Sequence, residues 1–220
     1  FEVLNARTQQ GDIGVATSTN GLDWHYERIV LDEKFHLSYP YVFEWNGSIY
    51  MVPESAEDES VRLYKATQFP YEWQLEKKII QDTALVDPTL FEHNGHWWLF
   101  AGNKTNDALY LYYADQTLTN WTLHPKNPIV QSNKKYTRPA GNVIQTKEHL
   151  VRLAQDDAEY YGQQTWAFQI NQLTLTDYEE QLLYEKPILK GNMHWNQKGM
   201  HTFSSLRMPN GRWLVAVDGF

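Results

Sequence analysis

The 220-residue chain contains no cysteine, which excludes disulfides and thiolate-ligated metal centres. It has no apolar run near the roughly 20 residues that a membrane-spanning helix requires, and its first residues do not form a signal peptide. Positive charge is scarce: 19 Lys and Arg against 27 Asp and Glu leave a formal net charge of -8. Nucleic acid is therefore not an expected partner, because phosphate recognition needs clustered cations. Acidic runs such as Glu57-Asp58-Glu59 and Asp156-Asp157 read as solvated loops. There is no Gly-rich phosphate loop, no His-Glu-x-x-His pair and no Gly-x-Ser-x-Gly elbow, so the chemistries those motifs serve are not expected. Helical periodicity is also missing; residues 175–183 are the one stretch that could be argued helical.

What the chain does have is aromatic residues, 15% of the total, and a repeat. "SYPYVFEWNGSIYMV" (38–52) and "VDPTLFEHNGHWWLF" (86–100) each place a proline, an apolar run, an acidic residue, Asn-Gly and a second aromatic-rich run in the same order. Asn-Gly between alternating apolar runs signals a tight hairpin, because both residues tolerate the positive φ of a type I′ turn. The pair occurs at Asn46-Gly47, Asn94-Gly95 and Asn210-Gly211, and residues 139–154 form a further copy with Lys147-Glu148 at the turn. A second phrase follows these hairpins and ends on Trp24, Trp73, Trp121 or Tyr178, aromatic positions expected to pack between neighbouring sheets.

One unit is thus four strands in about 50 residues, the length of a propeller blade. The expected fold is all-β, a five-bladed β-propeller forming a single domain, with blades at about 1–31, 38–81, 86–130, 137–190 and 200–219. The first and last blades are incomplete, with three strands and two. The chain therefore reads as a fragment whose missing strands, or a further domain, belong to a longer polypeptide.

In such a ring the residues that open each innermost strand converge on one mouth of the central funnel. These are His36, Ser38 and Tyr39; Val86 and Asp87; Thr137 and Arg138, with Asn142 further along; and Met200 and His201. The proline that follows Tyr39, Asp87 or Arg138 starts the strand, where its missing N–H is tolerated, and leaves the preceding residue free to vary. A second ring comes from the ends of the second strands: Glu54 aligns with Glu2 and Asn103, and Gln155-Asp156 fall near the same place. Asp87 with Glu54 makes a two-carboxylate arrangement of the kind glycosidases use. Ser38, Tyr39, His36, Arg138, Asn142, His201, Asn103 and Asp156 are the candidate ligand-binding residues around it.

At this point the sequence resembles a family. "VDPTLFEHNGHWWLFAG" is similar to the five-bladed propellers of arabinanases, β-xylosidases and related glycoside hydrolases. "FHLSYPYVFEWNGSIYMVPES", "DPTLFEHNGHWWLF" and the ending "WLVAVDG" resemble the N-terminal domain of the plant glucosamine inositolphosphorylceramide transferases and their bacterial relatives, some of which carry a sugar formyltransferase-like module. The resemblance implies a glycan or sugar-containing small molecule as partner. It implies Asp87 as the pKa-modulating carboxylate, Glu54 as the general acid, and a general base upstream of Phe1. It places His201 where hydrolases of this kind often set a histidine facing an axial ion or water, so a central cation there is conceivable although no cofactor is expected. Arg138 departs from the hydrolase pattern and suits a carboxylate or phosphate on the ligand. Two readings stay open: a glycoside hydrolase-like enzyme, or a non-catalytic sugar-binding or scaffolding domain that accompanies a glycosyltransferase or formyltransferase domain.

Overall fold

A computed structural model describes residues 1–220. The chain is a succession of antiparallel meanders. The first sheet joins β1 (Glu2–Asn5), β2 (Gln10–Thr17) and β3 (His25–Leu31), and the second joins β4 (Ser38–Trp45), β5 (Ser48–Glu54), β6 (Val61–Gln68) and β7 (Glu72–Ile80). The third contains β8 (Leu85–His93), β9 (His96–Asn103), β10 (Ala108–Ala114) and β11 (Thr122–Leu123), with β12 (Val130–Gln131) also on β10. The fourth is built from β13 (Arg138–Pro139), β14 (Ile144–Gln145), β15 (Leu150–Asp156), β16 (Gln164–Leu173), β17 (Tyr178–Leu182) and β18 (Leu189–Lys190). A hairpin of β19 (Phe203–Arg207) and β20 (Trp213–Val217) ends the chain. Helix is confined to two single 3-10 turns, Ala56–Asp58 and His194–Asn196.

This is an all-β propeller fold, and it corrects the expected blade number. Four sheets have three or more strands and form blades; the last unit is a two-stranded ribbon. A lone hairpin buries too little to count as a blade, so the structure has four blades rather than five. The stretch at 175–183 is strand β17, not helix.

The turns explain how the repeat folds. Asn46 and Asn94 have φ of 48° and 50°, followed by Gly47 and Gly95 at 71° and 75°, which is the type I′ geometry of a two-residue hairpin. The third Asn-Gly pair behaves differently. Only Gly211 has positive φ, and β19 and β20 are joined by a longer loop in which Gly211 N–H donates to the Met208 carbonyl. In the fourth blade the inner strand is divided into β13 and β14. Between them Gly141, at φ 131°, brings the backbone so close to Phe203 that a Cβ would lie 1.8 Å from its carbonyl oxygen. Phe203 N–H donates to the Ala140 carbonyl there.

The chain packs as two compact units, Phe1–Pro88 and Thr89–Phe220. The first unit buries Ile13, Leu31, Leu37, Met51 and Tyr64, with Trp73 packed against them. The second unit has a core of Phe91, Trp98, Phe100, Leu109, Leu111, Val143 and Ile170, with Tyr178 against it, and a separate cluster of Ala154, Trp166 and Phe168. Trp73 and Tyr178 thus fill the packing role expected of them. Trp24 does not: it is 58% exposed, its indole N–H donating to the Gly21 carbonyl at 3.3 Å within its own turn.

Candidate functional site

In the first unit, Asp87 and Tyr39 occupy equivalent places in the two copies of the repeat, each immediately before a proline. Both have a left-handed backbone, with φ of 49° and 45°. The combination is costly, because a non-glycine residue disfavours positive φ and a following proline steers its neighbour toward extended conformations. Such a residue persists only where its surroundings hold it. For Asp87 that support is visible: the Glu54 Oε2 accepts the Asp87 backbone N–H at 3.2 Å. Both carboxylates are buried, Asp87 at 3% exposure. Glu54 closes β5 opposite buried Ser38, and the register shift between Ser38 and Tyr41 re-aims the chain on either side of Tyr39.

His36 points elsewhere. Its Nδ1 accepts the Gly11 N–H at 2.9 Å, and its Nε2 lies 3.6 Å from the Glu2 carboxylate, so it ties β2 to the start of β4. Nearby, Asp58 gathers Ser60 Oγ, Arg62 Nε and Nη2, and Lys78 Nζ at 2.5 to 2.9 Å. Burial pushes the Asp58 carboxyl up, but the hydrogen bonds from Lys78, Ser60 and Arg62 outweigh it and hold its pKa at about 2.

In the second unit, Arg138 and His201 meet through a residue that sequence reasoning missed. The Arg138 guanidinium lies 5.1 Å from the centre of the Tyr161 ring, and the same ring meets His201 edge-on at 4.9 Å. Tyr161 is 49% exposed. Asp157 builds this corner by accepting the Gly162 N–H at 2.7 Å, which seats Gly162 against the His201 ring. Asp218 Oδ1 accepts the backbone N–H groups of His201 and Thr202, and its Oδ2 lies 3.1 Å from His201 Nδ1. That contact is close enough for an ion pair but too poorly aligned for a hydrogen bond, so the buried Nδ1 has no hydrogen-bond partner. The clue to Tyr161 was the Tyr160-Tyr161-Gly162 run following a strand end, aromatic residues in a loop beside a glycine.

Three other candidates have their polar groups engaged by the fold. Asn142 exchanges hydrogen bonds with Ser205, accepting its N–H at 2.7 Å and donating Nδ2 to its hydroxyl at 3.1 Å. Asn103 accepts the N–H groups of Asp107 and Ala108 and donates to the Asp107 carboxylate, stabilising its turn. Asp156 is fully buried and accepts from Trp166 Nε1, Gln164 Nε2 and the Ala158 N–H. The structure therefore joins Asp87 to Glu54 and Arg138 to His201. No group of three or more His, Asp or Glu side chains is arranged to hold a metal ion.

With this geometry in hand, comparison with known proteins is informative. The family model described as glucosamine inositolphosphorylceramide transferase 1, N-terminal, matches residues 1–220. The glucosamine inositolphosphorylceramide transferase 1 of Oryza sativa subsp. japonica is 38% identical over 229 residues, which is all of this chain and 31% of that relative. The chain thus spans under a third of the length of the curated relatives it matches. Among solved structures, the α-L-arabinofuranosidase of Podospora anserina in complex with cellotriose aligns with a TM-score of 0.72 at 12% identity, over 94% of this chain and 71% of that one. The α-L-arabinanase of Cellvibrio cellulosa gives 0.65 at 14%, over 94% and 80%. At such identities the likeness is one of fold, the propeller of glycoside hydrolases.

Proposed function

Because the chain belongs to the family of the N-terminal domain of glucosamine inositolphosphorylceramide transferase 1, we propose that it is a carbohydrate-binding propeller domain that presents a glycan or glycoconjugate to a glycosyltransferase portion of a longer protein. The observation that carries this reading is the Glu54 carboxylate bonded to the Asp87 N–H. Glu54 is engaged in holding a strained aspartate in place, which is a positioning task. A general acid would instead deliver its proton to a substrate oxygen. Asp87, fixed and buried, is suited to accept hydrogen bonds from sugar hydroxyls. Arg138, stacked on half-exposed Tyr161, gives the second unit a cation and an aromatic face that suit an acidic or phosphorylated sugar.

The second reading is a hydrolase, favoured by the buried pair of carboxylates and by the fold of the structural neighbours. One experiment separates them. The chain is tested against arabino-, xylo-, manno- and cello-oligosaccharides, by calorimetry for binding and by reducing-sugar release for turnover. Binding without release is expected, with affinity falling at least tenfold in Asp87→Ala. Release of sugar that drops by orders of magnitude in Asp87→Asn, with binding kept, would establish the hydrolase instead. Absence of binding to every glycan would remove the carbohydrate reading.

A further inference from the structure

Away from these residues, the second unit contains a cavity of about 580 Å³ bordered by β12, β16 and β17. Two departures from regular pairing open onto it. The outer strand of the third blade is broken into β11 and β12, and the Asn127 side chain takes the place of the missing strand residue by bonding both the N–H and the carbonyl of Leu111. Ile129 and Val130, just past the break, form one wall. Opposite them β16 carries a bulge: Ile170 pairs with Glu180 and Gln172 with Glu179, which leaves Asn171 as the extra residue on the cavity lining. Bulges are over-represented at sheet edges and beside ligand sites, where they re-aim a side chain.

The wall behind the bulge is cross-linked by hydrogen bonds and electrically balanced. Arg152, 1% exposed, donates Nε and Nη2 to the two Glu180 oxygens at 2.7 and 2.5 Å and Nη1 to the Tyr136 carbonyl at 3.1 Å. Tyr178 adds its hydroxyl to Glu180 at 2.6 Å, and the guanidinium lies 4.6 Å from the Phe168 ring centre. A buried ion pair is weak evidence for stability, since apolar packing of the same volume serves as well. Here it holds Tyr136, Tyr178 and Phe168 in fixed positions around the cavity. The lining then offers aromatic rings, the amides of Asn171 and Gln181, and the exposed Glu179 carboxylate, with no uncompensated cation. Asn171 Oδ1 already accepts from Gln169 Nε2 at 3.1 Å, which leaves Nδ2 as the donor the amide can offer.

From the bulge at Asn171, the broken outer strand and the aromatic, amide and carboxylate lining between them, we propose that this cavity is a second saccharide site that takes a neutral hexose unit. Rings supply apolar faces for the sugar C–H groups, while Asn171, Gln181 and Glu179 bond its hydroxyls. Phosphorylated sugars bind less well, because a second negative charge would face Glu179 and the lining itself supplies no cation; Lys135, whose Nζ lies 5.3 Å from the Tyr136 ring centre, stacks on the rings of Tyr136 and Trp166 and is not among the lining residues. The proposal rests on the carbohydrate reading above but uses different residues and the opposite charge preference. Ligand-observed NMR on the whole chain tests it, with D-glucose, D-galactose, D-mannose and their 6-phosphates as probes, in an Asp87→Ala/Arg138→Ala background that silences the other residues. At least one hexose should bind in the millimolar range, and its 6-phosphate at least tenfold more weakly. Asn171→Ala/Gln181→Ala, which removes two of the hydroxyl partners, should abolish binding; Glu179→Ala, at an exposed position that tolerates change, should weaken it severalfold. Hexose binding that survives both variants, a preference for the phosphates, or no hexose binding in this background while the unmodified chain binds glycans, would each overturn the second site and leave the first reading standing.

Discussion

Asp58 is a residue where charge bears directly on stability. Its carboxylate is shared by Ser60, Arg62 and Lys78, so Asp58→Asn should cost about 2 kcal/mol at pH 7, the scale of hydrogen bonds to charged groups. Because its folded pKa is held near 2, below the ordinary 3.8, the stabilisation is fully present above about pH 4. It fades as the pH falls toward 2. Thermal melts of the two proteins should therefore differ at neutral pH and converge between pH 4 and 2. Gly162 offers a second test at this scale: at φ 67°, an added Cβ would lie 2.8 Å from the His201 ring. Gly162→Ala should lower stability by about 1–3 kcal/mol and disturb the Arg138–Tyr161 stack, seen as a shifted Tyr161 ring resonance by NMR. The sequence marked Asp87, Tyr39 and Arg138 as the positions just before a proline, because a repeated phrase with one changing position singles that position out. Their left-handed or stacked geometry was not legible there, since it depends on partners distant in sequence, Glu54 for Asp87 and Tyr161 for Arg138.

Elements whose turn chemistry is local were readable, and those shaped by tertiary contact were not. The hairpins β4–β5 and β8–β9 follow from Asn-Gly, which supplies the two positive-φ residues their turns need, whereas at Asn210-Gly211 the same pair lies in a longer loop. The division of the fourth blade's inner strand into β13 and β14 follows from Gly141 against Phe203, a contact across 62 positions that no local pattern encodes. The break between β11 and β12 is similar, because Asn127 replaces strand pairing with its own side chain. Fully buried Leu111 has Asn127 Oδ1 as the acceptor for its N–H, at 2.7 Å. Asn127→Ala should leave that N–H unpaired and cost about 1–3 kcal/mol, measurable as a lower denaturant midpoint with an unchanged slope. Asn127→Asp keeps the accepting oxygen and should recover part of the loss.

Taken as a whole molecule, the fold class was the most legible property, because recurrence of one four-strand phrase leaves few architectures to choose from, and the blade count was the least. A hairpin motif reads the same whether or not outer strands join it. The hairpin β19–β20 has consequences for how the protein behaves in solution. Within the isolated 220-residue chain, Trp213, Val215 and Val217 alternate along β20 at 46%, 39% and 39% exposure, which puts an apolar stripe on one face of a strand that pairs with β19 alone. Exposed apolar strand edges template pairing with another chain. What restrains it is mutual repulsion from the net charge of -8, and that restraint disappears near the isoelectric point of about 5.5. Sedimentation velocity should therefore show concentration-dependent association that grows from pH 8 toward pH 5.5. A lysine at the centre of the stripe, Val215→Lys, should suppress it even though it lowers the net negative charge, because an edge-strand cation opposes pairing directly. For the isolated chain, the pH of handling then sets how long this strand edge stays unoccupied.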